Sequence, residues 1–361
     1  MLDIAERIAA FAVGIAIVLG TFLSAVRTFV LPRSSPTILT RVIFLTVRDL
    51  FSIFEKRATT YEQRDRILAL YAPLSLLVMP PVWLICVLVG FMGMFWAAGG
   101  RSWYQALRIS GSSLLTLGFV PLDRLTDLLL GYSEATLGLI LVALLIAYLP
   151  SMYSAFQRRE TAVTLLEVRA GTPPSAIELF QRLHRLRRLE KLSEMWVSWE
   201  IWFAELEESH TSLPALAFFR SPKPSQSWIT AAGTVLDAAA LAASTLDIPR
   251  DVQAELCIRA GYLALRRICD FFALPYNPQP APGDSISVTR AEFDAACEQL
   301  ASVGVPLKPD REQAWRDFSG WRVNYDTPLL LLASTITAPP ALWSSDRAPT
   351  RRRPPILKIG K

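Results

Sequence analysis

Few residues in this chain have the types and spacing for bond-breaking chemistry. His184 and His210 are its two histidines, and Cys86, Cys257, Cys269 and Cys297 its four cysteines. They show no CxxC spacing, so neither a disulfide framework nor a zinc site is expected. Glu205, Glu207, Glu208 and His210 form an acidic cluster, read as a solvated helix end with metal binding as the alternative. Ser227, Asp237 and His210 make no recognisable nucleophile arrangement, and no Gly-rich phosphate loop or Rossmann fingerprint occurs. No enzymatic activity, resident cofactor or bound metal is therefore expected. The segment that does offer chemistry is Trp103-Tyr104-Gln105-Ala106-Leu107-Arg108-Ile109-Ser110-Gly111-Ser112-Ser113-Leu114-Leu115-Thr116-Leu117-Gly118-Phe119. It reads as a short amphipathic helix followed by Thr-Leu-Gly-Phe. The C-terminal end of such a helix carries partial negative charge and favours a cation.

That segment is set between apolar stretches at 67–99 and 135–156, and their lengths decide its surroundings. The 361-residue chain is 52% hydrophobic and 19% charged, with mean hydropathy +0.32. Length alone suggests about two or three domains. Residues 8–31, about 67–98 and about 135–156 are each long enough to cross roughly 30 Å of hydrocarbon. A cleaved signal peptide competes for the first, but its flank Asp3-Ile4-Ala5-Glu6-Arg7 carries acids and Pro32-Arg33 follows, so an uncleaved span is expected. Pro80-Pro81 inside the second span is tolerable where neighbouring helices compensate the lost amides.

Charge sets the expected sidedness. The net charge is +5. Arg33, Arg41, Arg48, Lys56, Arg57, Arg64 and Arg66 follow the first span and Arg158-Arg159 the third, so both flanks are expected to be cytoplasmic. The N-terminus and loop 99–134 then face outward in a multi-pass protein of the plasma or inner membrane. In that loop Arg101, Arg108 and Arg124 are balanced by Asp123, Asp127 and Glu134, and Arg108 is a candidate partner for Asp123 or Asp127. Between the first two spans, Ile38, Val42, Ile43, Leu45, Leu50 and Phe54 recur at helical spacing, either as an interfacial helix or as one packed on the cytoplasmic domain. Nucleic acid is not an expected partner, because no reader motif accompanies the basic residues.

Two spans flanking an aromatic start, a helix of small polar residues and Thr116-Leu117-Gly118-Phe119 resemble the pore loop of the potassium-channel superfamily. The resemblance covers about residues 67–157. It implies a pore helix from Ala106 to about Leu115, with Ser110, Ser112 and Ser113 where that family often has small polar residues. Thr116, Leu117, Gly118 and Phe119 would then coordinate a monovalent cation, potassium in the first instance, through backbone carbonyls from a ring of subunits. One pore loop per subunit implies a homotetramer in a lipid bilayer. Gly118 would take backbone angles costly for other residues, and Phe119 would pack sideways to stiffen the loop. After Phe119 the family pattern of Gly-Asp is replaced by Val120-Pro121. A β-branched residue is a poor candidate for positive φ, and Pro121 favours an extended Val120. Relaxed selectivity is one consequence. A non-conducting membrane scaffold or sensor with a channel-like body is the alternative. In the third span Leu145, Tyr148, Leu149 and Met152 are candidates for an apolar gate, and Gly138 for a bend or a packing contact.

The expected fold is an all-α membrane protein with three transmembrane helices, a re-entrant pore loop and a cytoplasmic helical domain. Its divisions are 1–66 (first span and linker helix), 67–157 (pore module), 158–345 (cytoplasmic domain) and 346–361 (basic, disordered tail with Arg351-Arg352-Arg353). Gly171-Thr172-Pro173-Pro174 breaks the third helix, and Ser175 to Glu178 reads as a capping box opening a long helix to about Glu208. Arg182, Arg185, Arg187, Arg188 and Lys191 mark a solvated face, with lipid headgroups or a nucleotide phosphate as alternative ligands. Further helices are expected near 228–246, 250–273, 290–302 and 311–322, with a second capping box at Thr289-Arg290-Ala291-Glu292. Leu329 to Ala338 is apolar but too short to span.

Overall fold

The computed structural model describes residues 2–31 and 37–349; Arg33 and the basic tail from 350 onward lie outside them. Every regular element among the described residues is a helix, apart from one isolated antiparallel bridge between Leu246 and Leu307. Three helical stretches, Ile4–Phe29, Tyr61–Gly99 and Leu125–Ala170, are long and apolar enough to cross a membrane. The contacts divide the described residues into two units, one drawn from Met1–Arg57 and Leu70–Tyr153, the other from Ala58–Ala69 and Ser154–Lys361.

In the first unit, α1 (Leu2–Phe29) packs along α4 (Tyr71–Gly99) through glycines. A Cβ on Gly14 would lie 2.5 Å from the Gly90 carbonyl oxygen, and one on Gly90 would lie 2.9 Å from that of Gly14. Such bare surfaces let helix backbones approach closely, the usual route to helix association in lipid. α4 runs unbroken through Pro80 and Pro81. The stretch expected as one span from residue 67 is divided at Leu70, and α3 (Tyr61–Ala69) packs with the second unit, where Arg220 bridges to Asp65 at 2.5 Å. α2 (Ile38–Glu55) is capped by Thr37 and joined to α1 by hydroxyls, Ser24 to Thr37 at 2.6 Å and Thr28 to Thr40 at 2.9 Å. Its Phe44 and Phe51 pack edge-on to Tyr71 of α4, while Ile38, Val42, Leu50, Ile53 and Phe54 are exposed.

α5 (Trp103–Leu114) follows α4, and α6 (Leu125–Ala170) begins at Leu125 rather than near residue 135. α6 belongs to the first unit up to Tyr153 and to the second from Ser154.

The second unit is built around α9 (Trp228–Ser244), in which every residue but Ala243 is buried. Small alanines allow α7 (Ala176–Arg185), α10 (Val252–Phe271), α12 (Arg311–Arg322) and α13 (Asp326–Ile336) all to pack on it. α8 (Leu192–Ser212) adds Trp196, Trp199, Trp202 and Phe203 to this core, and α11 (Arg290–Ser302) opens on the expected Thr289–Glu292 capping box. Two local expectations are corrected. Ser175 makes no side-chain cap bond to α7. The long helix to Glu208 is broken at 186–191, where Arg187 takes φ +56° and its amide and that of Arg188 close back on the His184 and Leu183 carbonyls. This is a Schellman stop, which needs a left-handed residue just past the helix end. Arg185, Arg187 and Arg188 are exposed there.

Candidate functional site

α5 is anchored at both ends. At its start, the Ser102 hydroxyl accepts the Gln105 amide at 3.3 Å and the Gln105 side chain accepts the Ser102 amide at 3.1 Å. Trp103 stacks on Trp96 of α4 with ring centres 4.9 Å apart. Arg101, just before α5, forms a two-pronged pair with Asp127 of α6 at 2.8 and 2.5 Å. Arg108 is thus not the partner of Asp127; its guanidinium lies 5.9 Å from the Phe119 ring centre. That distance suits a cation–π contact. Phe119 itself is 54% exposed, so the expected sideways packing of its ring is not found within the chain.

The C-terminal half of α5 lies against α6. Asp127, Gly131, Glu134, Gly138 and Leu141 are all buried on α6. Their spacing of four, three, four and three residues keeps them on one helix face. A Cβ on Gly131 would meet Leu122 at 2.6 Å and the Ser113 hydroxyl at 3.2 Å, and one on Gly138 would lie 2.8 Å from the Leu114 carbonyl oxygen. Gly138 is therefore a packing glycine.

Beyond Leu114 the chain turns sharply. The Thr116 amide bonds the Ser113 carbonyl at 3.0 Å and the Leu117 amide bonds that of Ser112 at 2.9 Å. Thr116 sits between them with φ +53°. The paired bonds form a Schellman cap, with threonine where glycine is the usual occupant. Gly118 has φ +69°, and Val120 is absent from the positive-φ residues. The Val120 amide bonds the Ser112 hydroxyl at 3.3 Å, which folds the segment back towards α5. Residues 115–119 are all exposed, with Leu115, Leu117 and Phe119 each more than half so. Pro121 is exposed as well.

The four gate candidates divide. Tyr148 and Met152 are buried at 6% and 2% exposure, and Tyr148 packs on Phe29 of α1 with ring centres 4.4 Å apart. They belong to the helix-packing face of α6. Leu149 is 39% exposed and Leu145 half-buried, so the accessible apolar face carries Leu149 with Ile146 and Leu139 instead.

Glu134 was placed by sequence in an aqueous loop, yet it lies inside α6 with no exposure. Its Oε1 is 2.5 Å from the Ser110 hydroxyl, and its Oε2 has no hydrogen-bond partner among the described residues. The available signal was its position: an isolated acid next to an apolar run invites a membrane-depth reading.

In the second unit, His210 is fully buried, not at a solvated helix end. Its Nδ1 is 2.9 Å from the Leu206 carbonyl, which can only accept, so Nδ1 carries the hydrogen and Nε2 accepts from Arg159 at 3.3 Å. Burial, and then the neighbouring Arg159 charge, hold the imidazole well below its usual range of protonation. Glu207 is paired with Arg267 at 2.6 Å. Among the described residues no cluster of three His, Cys, Asp or Glu side chains could hold a metal ion. No protein-family model, curated protein or solved structure matches this chain.

Proposed function

We propose that the chain is a subunit of a potassium-channel-like cation channel, built as a homotetramer in a plasma or inner membrane. The observation that carries this reading is the exposure of residues 115–119 just beyond a helix whose Ala106, Ile109, Ser110, Ser112 and Leu114 are buried. An apolar-flanked segment left open within one subunit is suited to meet its copies around a shared axis. Such a ring presents backbone carbonyls of Thr116, Leu117, Gly118 and Phe119 to the ion. In this reading α5 with the following turn is a re-entrant loop entered from outside. The bases of residues 37–66 and Arg158-Arg159 lie on the cytoplasmic side, and the helical domain from α7 onward gates from there. The exposed apolar flank of α2 then rests at the membrane interface.

The second reading is a non-conducting scaffold or sensor. It is favoured by the Thr116 and Leu117 amides, which are already engaged in capping α5, and by Val120-Pro121. Potassium and sodium flux from liposomes holding purified protein decides between them. Wild-type flux that Gly118→Ala abolishes supports the channel. A Cβ at Gly118 meets nothing within 4 Å in the subunit, so this substitution acts through its left-handed backbone or through the neighbouring copies. No flux across a range of voltage, pH and lipid favours the scaffold.

A further inference from the structure

Glu134 of α6, Ser110 of α5 and the Leu88 carbonyl of α4 form a chain of oxygens inside the first unit. The Ser110 hydroxyl lies 2.5 Å from Glu134 Oε1 and 3.0 Å from the Leu88 oxygen. Each contact needs one hydrogen between its two oxygens. Leu88 can only accept, and Ser110 has a single hydrogen to give. Both contacts are satisfied together only when Ser110 donates to Leu88 and Glu134 donates to Ser110. A carboxylate cannot donate. In the ionised form the Leu88 contact loses its hydrogen, and Oε2, which has no hydrogen-bond partner among the described residues, becomes part of a buried charge. A buried charge without a partner is far more costly than a neutral carbonyl in the same place.

Among the described residues no cation is placed against that charge. α4 carries no charged residue from Tyr71 to Gly99, and Arg108, the single charged residue of α5, lies over Phe119. On α6, Asp127 is paired with Arg101, and no charged residue other than Glu134 occurs from 128 to 157. On α1, which packs along α4, Arg7 lies by Gly100, Glu6 is exposed, and Arg27 is in the last turn, at the other end of the helix from Arg7. Gly131 and Gly138 flank Glu134 on the same face and bring α5 close enough for the contact.

We propose that Glu134 is held as a neutral carboxylic acid and is a positioning residue for α5. Its proton ties α5 to α6 and, through Ser110, to α4; loss of that proton releases α5 and alters ion passage through the segment it carries. The last clause rests on the channel reading; the positioning role does not.

The test uses the detergent-purified full chain and its Glu134→Gln and Glu134→Ala variants. Infrared difference spectra at neutral pH are expected to show a protonated-carboxyl stretch in wild type that Glu134→Gln removes. Hydrogen exchange of α5 amides is expected to be faster in Glu134→Ala by roughly two- to tenfold, the range of one hydrogen bond. Glu134→Gln, whose amide can still donate to Ser110, should match wild type. Absence of the carboxyl stretch, or α5 exchange alike in all three proteins, overturns the positioning role. In liposomes, potassium flux through Glu134→Gln should match wild type and flux through Glu134→Ala should differ; the same flux in all three overturns the coupling to ion passage. No flux from any of the three, with the infrared and exchange results as expected, overturns the channel reading and leaves the positioning role standing.

Discussion

Gly138 of α6 faces the Leu114 carbonyl at the last turn of α5, so closely that a Cβ would sit 2.8 Å from the oxygen. The end of α5 fixes where residues 115–119 emerge, and Gly138 fixes the end of α5. Gly138→Ala should therefore shift α5 or strain α6, at about 1–3 kcal/mol for overpacking. Thermal unfolding in detergent, with flux from liposomes alongside, measures both effects. A variant as stable and as active as wild type would contradict the close approach.

The crossing of α1 and α4 is equally tight at Gly14 and Gly90. Gly90→Ala should lower thermal stability by about 1–3 kcal/mol, because the added methyl has no room. Gly20, in the same α1, has nothing within 4 Å of its Cβ position. Gly20→Ala should be neutral or stabilising by up to about 1 kcal/mol, the helix preference of alanine over glycine. A loss in both variants alike would argue against a specific contact.

Thr116 holds a left-handed cap position with φ +53°. Thr116→Gly should relieve roughly 1 kcal/mol of backbone strain and raise stability. If the hydroxyl also contributes to ion coordination, flux falls while stability rises. An unchanged flux with raised stability would confine Thr116 to capping α5.

In the second unit Arg322 is wholly buried and reaches Asp237, Asp326 at 2.8 Å and the Trp343 carbonyl at 2.5 Å. Tyr325 donates to Asp237 at 2.9 Å. Asp237→Ala leaves Tyr325 without its acceptor and Arg322 with Asp326 as its one carboxylate partner, so it should cost about 1–3 kcal/mol. The double variant Asp237→Leu with Arg322→Leu should recover part of that loss. Denaturant unfolding followed by tryptophan fluorescence gives both values; equal losses for single and double variants would show that the two charges do not depend on each other.

His210 is held neutral by burial and by the Arg159 charge. Protonation is then easier in the unfolded chain, near the ordinary value of about 6.5, than in the fold. The unfolded state binds the extra proton first, so this contribution is complete above about pH 6.5 and is lost as pH falls below it, by up to roughly 1.4 kcal/mol per pH unit. His210→Gln should flatten the stability profile below that point. An unchanged slope would show that another group governs acid sensitivity.

The local elements were legible in the residue pattern alone. Apolar runs of sufficient length marked the helices that became α1, α4 and α6, and Gly171 with the following prolines marked the end of α6. Thr289 with Glu292 marked the start of α11. These signals act within a few residues, so they can be read without partners. The left-handed backbone of Gly118 follows the same logic.

Which faces meet was settled by packing, beyond the reach of local pattern. Leu186 and Leu189 keep the apolar period through 186–191, which hides the left-handed stop at Arg187. Tyr148 and Met152 have the right composition for a gate, but both are buried, Tyr148 against Phe29 of α1, and that depends on how the helices approach. Glu134 and Ser110 are 24 residues apart, and nothing in either neighbourhood announces the other. Their contact exists because Gly131 and Gly138 let α5 lie against α6. Local patterns set helix identity through backbone energetics. A non-local hydrogen bond depends on how closely two helices can approach, and that is fixed only when their surfaces are packed together.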